Sequence, residues 1–435
     1  IQQPAVVLCV YRPEFSLLTS HQLSSIGKAY QEIRLKDLSA SEAQDMLESL
    51  LKTESIPADL RRFVQDKAEG NPFYLEELVN SLIESGTLIR SNGAWKVVKT
   101  ISESDISSTI HGLIASRLDR LENEAKRILQ EASVIGRAFL YEILKRITEF
   151  KEQIDERLRS LEQLDLIRTR SLQPELEYIF KHALTQDIVY NGLLKKERKQ
   201  IHEITGLVME QLFQDRLPEF YETLAFHFKN SLSIDKAVHY LMKSGEKSVK
   251  RYAIEEAHLY HQEAFDILAN KPDKSKEENN LLIDLLNKWG FVFYYRGDLV
   301  RLMDLFEAHE NLARSLEDKA RLGMFYAWLG YSLSARAKLN DSYEYLSKAL
   351  DIGEDIGNER LTAYACTWLT WTCAAMGLFD DAISYGKRAQ EICRLIEWDH
   401  FLYFKSLGGL AHAHCYRGDR KYTFEAGKAL LEYAQ

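Results

Sequence analysis

The sequence predicts a mainly α-helical protein with an α/β portion at its N-terminus and a helical repeat array over its second half. Three observations predict this. Helix breakers are scarce, with 7 Pro and 21 Gly in 435 residues, so helices dominate and loops are short. The run Ala-Val-Val-Leu-Cys-Val-Tyr at 5–11 is continuously apolar, as in a strand buried on both faces. From Trp289 onward, residue types recur at an interval of 40.

The bulk numbers agree. A chain of 435 residues is too long for one ordinary domain and suggests about two to four. Hydrophobic residues make up 46% and charged residues 28%, the balance of a soluble globular protein. A net charge of -9 gives no support to broad, nonspecific nucleic-acid binding, which needs a basic surface. The five cysteines are odd in number and dispersed, without a Cys-x-x-Cys pair. They argue against a disulfide framework or zinc site and fit a reducing cytoplasm.

Taken in order, the apolar run ends at Arg12-Pro13-Glu14, and α/β sheets place ligands at strand ends. A second strand is expected near 30–35. Two strands alone bury too little surface to make a domain, so the chain is expected to start inside one. Ser39-x-x-Glu42 reads as a capping box opening a helix to about Lys52. A second helix spans about 58–68 and breaks at Glu69-Gly70-Asn71-Pro72, and a third follows that Pro to Glu84. Asn92-Gly93 between apolar flanks signals a hairpin. Helices are expected near 107–120, 122–135, 138–147 and 151–164. A hairpin around Gln173-Pro174 follows, and then a helix from about His182. Helices followed by such a wing resemble a winged helix.

Beyond about 218 only helices are expected. Trp289-Gly290, Leu329-Gly330 and Leu369-Thr370 are spaced by 40, as are Ala349, Ala389 and Ala429. Small residues at fixed places let antiparallel helices pack closely, and the order resembles the tetratricopeptide pattern, whose usual period is about 34 residues. The expected helices or loops are therefore longer. Earlier pairs are expected at 235–247 and 252–268, with a polar connector at 270–277. No polar capping helix closes the array, so truncation is expected at the C-terminus too. The 19 uncharged residues Leu361 to Phe379 approach the length of a membrane span. Four threonines and the fit to the repeat count against a span.

Three motifs carry a resemblance: Leu8-Cys-Val-Tyr-Arg12-Pro-Glu-Phe15, Gly70-Asn-Pro72-Phe-Tyr-Leu-Glu-Glu77, and Tyr178-Ile-Phe-Lys-His182-Ala-Leu184. In this order they resemble the STAND branch of the AAA+ ATPases. More narrowly, they resemble large signalling ATPases often fused to nucleotide-cyclase or protein-kinase domains. Ile114-x-x-Arg117-Leu-Asp-x-Leu121 and Ala132-Ser-Val-Ile-Gly-Arg137-x-Phe139 support it, and the likeness covers about 5–260 in detail. The resemblance implies that 1–38 is the C-terminal part of a nucleotide-binding core and 39–104 a helical lid with a hairpin. It further implies a winged-helix region at 105–210 and tetratricopeptide-like repeats at 218–435. It implies cofactor-binding roles for Arg12 as sensor 1 near the γ-phosphate, Pro72 near the adenine, and His182 on the β-phosphate of ADP. The implied cofactor is ATP or ADP, with Mg in the intact protein, and the implied ATP-bound form is a homo-oligomer. The implied partner is a protein or signal ligand on the repeat array.

The departure from the family is large. A P-loop needs Gly-x4-Gly-Lys-[Ser/Thr] so that backbone N–H groups wrap the phosphates. None is present: Gly27-Lys28 lacks its leading Gly, and Gly386-Lys387 and Gly427-Lys428 fall inside repeat helices. No apolar strand ending in acidic residues precedes Arg12 either. In the family both elements would lie upstream of Ile1, so the expectation is an N-terminally truncated chain that holds nucleotide weakly and does not hydrolyse ATP. No catalytic residue or metal ligand is assigned. His258-x-x-His261 could share one helical face but lacks a matching ligand set, and His412 and His414 point apart. Residues 105–210 hold 17 Lys and Arg against 18 Asp and Glu, which counts against DNA contact. The reading that follows is a nucleotide-dependent signalling switch. The alternatives are a nucleotide-free scaffold for protein interactions and a repeat-containing transcription regulator.

Overall fold

The structure, a computed structural model, describes residues 6–11, 15, 29–53, 56–91, 94–99, 109–396 and 399–434. The chain divides into two compact units, Ile1–Lys126 and Arg127–Gln435.

In the first unit, α1 (Ala40–Leu51) opens on the expected capping box, with Glu42 reaching back to the Ser39 N–H at 2.8 Å. Helices α2 (Ala58–Ala68) and α3 (Pro72–Glu84) follow. Strands β1 (Leu88–Ser91) and β2 (Ala94–Val97) pair antiparallel, Leu88 opposite Val97 and Ser91 opposite Ala94. Their turn residues Asn92 and Gly93 lie outside the described residues. Leu47, Leu60, Val64, Leu75 and Leu78 build the core, and Trp95 ties the hairpin to α1 by donating to Leu51 O at 2.8 Å. Helix α4 (Ile110–Leu118), assigned from the sequence to 105–210, buries Leu113 in this core.

The two expected N-terminal strands are a correction. Val6 to Tyr11 join no sheet among the described residues, and Val6 and Val10 are about nine-tenths exposed or more. Residues 30–35 are irregular. An apolar run becomes a strand only when neighbours satisfy its N–H and C=O groups, and no described segment does so.

The second unit begins with α5 (Asn123–Ile135), whose start crosses the boundary, then β3 (Ala138–Leu140), α6 (Tyr141–Ile147), α7 (Ile154–Gln163), β4 (Ile167–Ser171) and β5 (Glu177–Phe180). The sheet order is β3-β5-β4, antiparallel throughout. Strand β3 was expected to be helix. It is too short to show a two-residue period, and buried Phe139 fixes it by packing on Tyr178 and Phe180 at 5.9 and 5.7 Å. Helices α8 (Ala183–Gly192), α9 (Lys195–Leu212), α10 (Tyr221–Lys229), α11 (Ile234–Lys250) and α12 (Ile254–Ala269) lead into the array.

The array is an α-solenoid of tetratricopeptide-like pairs: α13 (Lys276–Arg296), α14 (Leu299–Ser315), α15 (Lys319–Ala335), α16 (Leu339–Asp355), α17 (Glu359–Ala375), α18 (Phe379–Leu395), α19 (His400–Arg417) and α20 (Arg420–Ala434). Helices α14 to α18 are each 17 residues long. Three-residue links join them, so two helices and two links account for the interval of 40. The surplus over about 34 residues thus lies in the helices, roughly one extra turn each. The links after α15, α16 and α17 reuse one geometry: Ala337, Gly357 and Gly377 sit at φ 58, 64 and 80°, and the next N–H returns to a carbonyl five residues back. The repeated small residues mark helix crossings. A Cβ on Gly290 would lie 2.6 Å from the Trp328 ring, and one on Gly330 would lie 2.6 Å from Leu346. The uncharged stretch Leu361 to Phe379 is α17 and its link, with α17 buried inside the array. Among the described residues no helix is long and apolar enough to cross a membrane.

Candidate functional site

The turn carrying Pro72 is built by its neighbours. Glu69 and Gly70 both turn left-handed, at φ 47 and 80°, and stop α2. Gly70 O accepts from Leu38 N at 2.8 Å, and a Cβ at Gly70 would sit 2.7 Å from Leu38 O, so glycine alone fits. Asn71 then caps α3, its Oδ1 accepting from Phe73 N and Tyr74 N at 3.0 and 3.1 Å. Pro72 takes the first helical position, where its missing N–H costs nothing, and lies exposed.

The same motif ends in a residue whose role the sequence did not reveal. Glu77 is buried and forms an ion pair with Arg117 of α4. Arg117 Nε also donates to both Glu84 oxygens at 3.0 Å, so two carboxylates of α3 grip one guanidinium. Burial by itself would lower the Arg117 pKa, but the hydrogen bonds and charges of Glu84 and Glu77 hold it above its ordinary value. Arg120 adds a bond to Ser81 O at 3.2 Å. The two quoted motifs Gly70–Glu77 and Ile114–Leu121 therefore meet as a polar clasp between α3 and α4. The available signal was a charge inside each apolar run, Leu75-Glu-Glu-Leu78 and Ile114-Ala-Ser-Arg-Leu118.

His182 lies in the second unit, between β5 and α8. It is the N-cap of α8, at φ -122 and ψ 137°, and is half-buried. Three contacts fix this junction: Phe180 N donates to Arg137 O at 2.9 Å, Lys181 pairs with Asp165, and Gln186 Nε2 donates to Ser133 O at 2.8 Å. The last pins the first turn of α8 to α5. Arg12 lies outside the described residues. Of the three cofactor-binding candidates, Pro72 and His182 thus each have a defined local geometry in separate units.

The inner side of the array is filled by its own aromatic residues. The first helices of successive pairs, α13, α15, α17 and α19, pack side by side. Phe401 of α19 reaches back to α13, with ring centroids 4.9 Å from Phe291 and 5.3 Å from Tyr294. Tyr331 lies on Trp368 at 4.3 Å, and the Lys405 ammonium sits over Tyr294 at 5.0 Å. The indole N–H groups of Trp328 and Trp368, one repeat apart, are buried without an acceptor.

The histidines weighed as metal ligands, His258, His261, His412 and His414, are packing residues. His258 Nδ1 accepts from Trp289 Nε1 at 3.1 Å, and His261 Nδ1 donates to Ala257 O at 2.7 Å, so neither Nδ1 is open to a metal. His412 lies against Trp371 and Tyr416, and His414 bonds Asp419 at 3.1 Å. Among the described residues no group of three or more His, Cys, Asp or Glu is placed to hold a metal ion. Burial pushes the Cys366 and Cys373 thiols up to about 12, which leaves them unreactive. A cavity of about 320 Å³ under the β4–β5 hairpin is lined by Leu140, Tyr141, Leu176, Phe213 and the Glu175–Arg216 ion pair.

Residues 39–90, from the α1 cap to β1, match a family described as a domain of unknown function (DUF8739). An uncharacterised protein of Rhizobium meliloti (strain 1021) is 23% identical over 223 residues, which are 50% of this chain and 21% of that protein. The chain thus spans about a fifth of the length of that curated relative. Among solved structures, a STAND signal-transduction ATPase with a tetratricopeptide repeat sensor from Pyrococcus horikoshii is 15% identical, covering 94% of this chain and 61% of that one, with a TM-score of 0.39. Aspartyl phosphate phosphatase F from Bacillus subtilis is 11% identical, covering 93% and 97%, with a TM-score of 0.39. A putative kinesin light chain with tetratricopeptide-like repeats from Podosopora anserina is 13% identical, covering 45% and 93%, with a TM-score of 0.36. The helical-repeat fold itself stands on the chain's own 40-residue helix pairs.

Proposed function

We propose that the chain is part of a nucleotide-dependent signalling switch of the STAND type, whose helical array receives a protein or ligand signal. The observation that carries this reading is the local architecture leading to His182. The order α5-β3-α6-α7-β4-β5, with sheet order β3-β5-β4, supports the winged-helix reading, with His182 as the N-cap of α8. Helix N-termini favour phosphate, because free N–H groups and the helix dipole both face it. Pro72 is exposed on a turn that only glycine at 70 permits, which supports the lid reading. In the intact protein ADP would be retained with contributions from Pro72 and His182, and Arg12 would sense the γ-phosphate of ATP beside Mg. Exchange for ATP would release the winged helix and allow homo-oligomers. A signal on the array shifts this balance only by its differential affinity for the two states.

The test is nucleotide content. Intact protein purified without added nucleotide is expected to carry ADP near one per chain, and His182→Ala to lose most of it and raise basal output. Pro72→Ala is expected to act more mildly. ADP retention unchanged in His182→Ala would remove His182 from the site. A second reading, a nucleotide-free scaffold for protein partners, is favoured by the array's own continuous core from Ile283 to Leu402. Intact protein without ADP would decide for it.

A further inference from the structure

Helix α8 carries His182 at one end and Tyr190 near the other. Tyr190 OH is 3.0 Å from His202 Nε2 in α9, and His202 Nδ1 is 3.0 Å from His227 Nδ1 in α10. His202 and His227 are fully buried, while Tyr190 is half-exposed. The chain of three side chains therefore runs from the His182 helix to the short helix α10, among the helices that lead into the array. Packing around it is close: a Cβ on Gly206 of α9 would lie 2.7 Å from the Phe228 ring of α10.

Proton accounting gives the chain a direction. Two facing Nδ1 atoms share one hydrogen bond only if one carries the proton and the other does not. If His202 donated, His227 would hold its proton on Nε2, which is buried and has no partner. An orphaned buried N–H is the costlier outcome, whereas a bare acceptor is tolerated. The consistent arrangement has His227 Nδ1–H donating to His202 Nδ1, and His202 Nε2–H donating to the Tyr190 oxygen. The Tyr190 hydroxyl proton then faces the exposed side. A proton added to either imidazole breaks this order, since it puts N–H groups on both Nδ1 atoms or forces an orphan on His227.

We propose that the Tyr190–His202–His227 chain is the joint through which the helices leading into the array hold α8, and with it His182, in place, and that it works only while both imidazoles are neutral. Its meaning for signalling rests on the nucleotide-switch reading, but the joint itself does not. The surroundings keep the pair neutral: burial pushes His202 down to about 4, helped by Arg198, and burial with the charge of His202 pushes His227 down to about 3. Arg198, stacked on the Tyr190 ring at 4.9 Å, is the one cation recorded against the chain among the described residues. Phe226 covers His202 from α10 at 5.5 Å.

The experiment uses the full chain in two measurements. Selective ¹⁵N-histidine labelling at pH 7.5 should show His227 protonated on Nδ1 and His202 on Nε2, with both still neutral at pH 5.5. Protonation of either near pH 6.5, or His227 protonated on Nε2, overturns the proposal. Hydrogen exchange over 183–192 should then speed up at least tenfold in His227→Leu, and less in Tyr190→Phe, while 319–355 stays unchanged. Tyr190→Phe keeps the packing and serves if His227→Leu does not fold. Unchanged exchange in α8 in the variant that folds sinks the joint, whatever the ADP content. ADP missing from the intact protein, together with accelerated exchange, would instead sink the switch reading and leave the joint standing.

Discussion

Arg117→Met tests how the first unit is held together. Arg117 and Glu77 are 1% and 2% exposed at their side chains, and Glu84 is 17% exposed. Removing the guanidinium leaves Glu77 as a buried carboxylate without its counter-charge. Breaking a buried pair from one side costs about 3–5 kcal/mol. Methionine keeps most of the volume, so the loss is electrostatic more than a cavity effect. Glu84 lies at the rim and can turn towards water. The double variant Glu77→Leu with Arg117→Met should therefore recover most of the loss, because a buried pair exchanged for apolar residues is often neutral. The assay is native-state hydrogen exchange over 72–84 and 110–118, which separates this unit from the other. At about 1.4 kcal/mol per factor of ten, exchange in Arg117→Met should rise by about 10² to 10⁴. A rise below tenfold, or a double variant as labile as the single one, would refute the reasoning.

Gly70→Ala should destabilise the first unit by about 1–3 kcal/mol, since it adds a Cβ 2.7 Å from Leu38 O at φ 80°. A thermal shift in the same melting transition as Arg117→Met would check it. Gly330→Ala should cost about 1–3 kcal/mol by overpacking against Leu346, and Leu346→Ala in that background should restore part of it, as measured by urea unfolding. The second unit should lose stability on acidification. His202, His227 and His261 sit at about 4, 3 and 4, below the unfolded value near 6.5, so the unfolded chain takes up protons first. Their contribution is fully present above about pH 6.5 and is lost as pH falls towards 4, at up to about 1.4 kcal/mol per pH unit for each histidine. Urea midpoints that stay flat between pH 6.5 and 4.5 would contradict the buried neutral state.

Much of this was legible in the residues. Ser39 and Glu42 announced a capping box, Asn71 and Pro72 a helix start, and the expected hairpin around Gln173-Pro174 formed as the β4–β5 pair. These signals are local: a cap, a turn or a helix start is decided by groups a few residues apart, and type and spacing suffice. The interval of 40 was equally plain, because each pair must offer the same small residues to the next. Where local patterns failed, the reason was a missing or distant partner. The run 5–11 had the composition of a buried strand but no described neighbour to pair with. Three residues at Ala138 became a strand because Phe139 found Tyr178 and Phe180 some 40 positions on. His258 and His261 had the spacing of ligands but engage their Nδ1 atoms with Trp289 and Ala257.

The sequence by itself determined most of the helices, the Ser39–Glu42 cap, the repeat interval and the order of the motifs, since all depend on short-range backbone chemistry and periodic burial. Only the tertiary structure decided that Glu77 and Arg117 form one clasp, that α4 belongs with the first unit, that Phe401 fills the inner side of the array against Phe291, and that Tyr190, His202 and His227 form one chain. Each of these joins residues 12 to 110 positions apart. A buried charge or imidazole shows in the sequence as an oddity within an apolar run. What it binds is set by which helices pack against each other, and that information is held in no single segment.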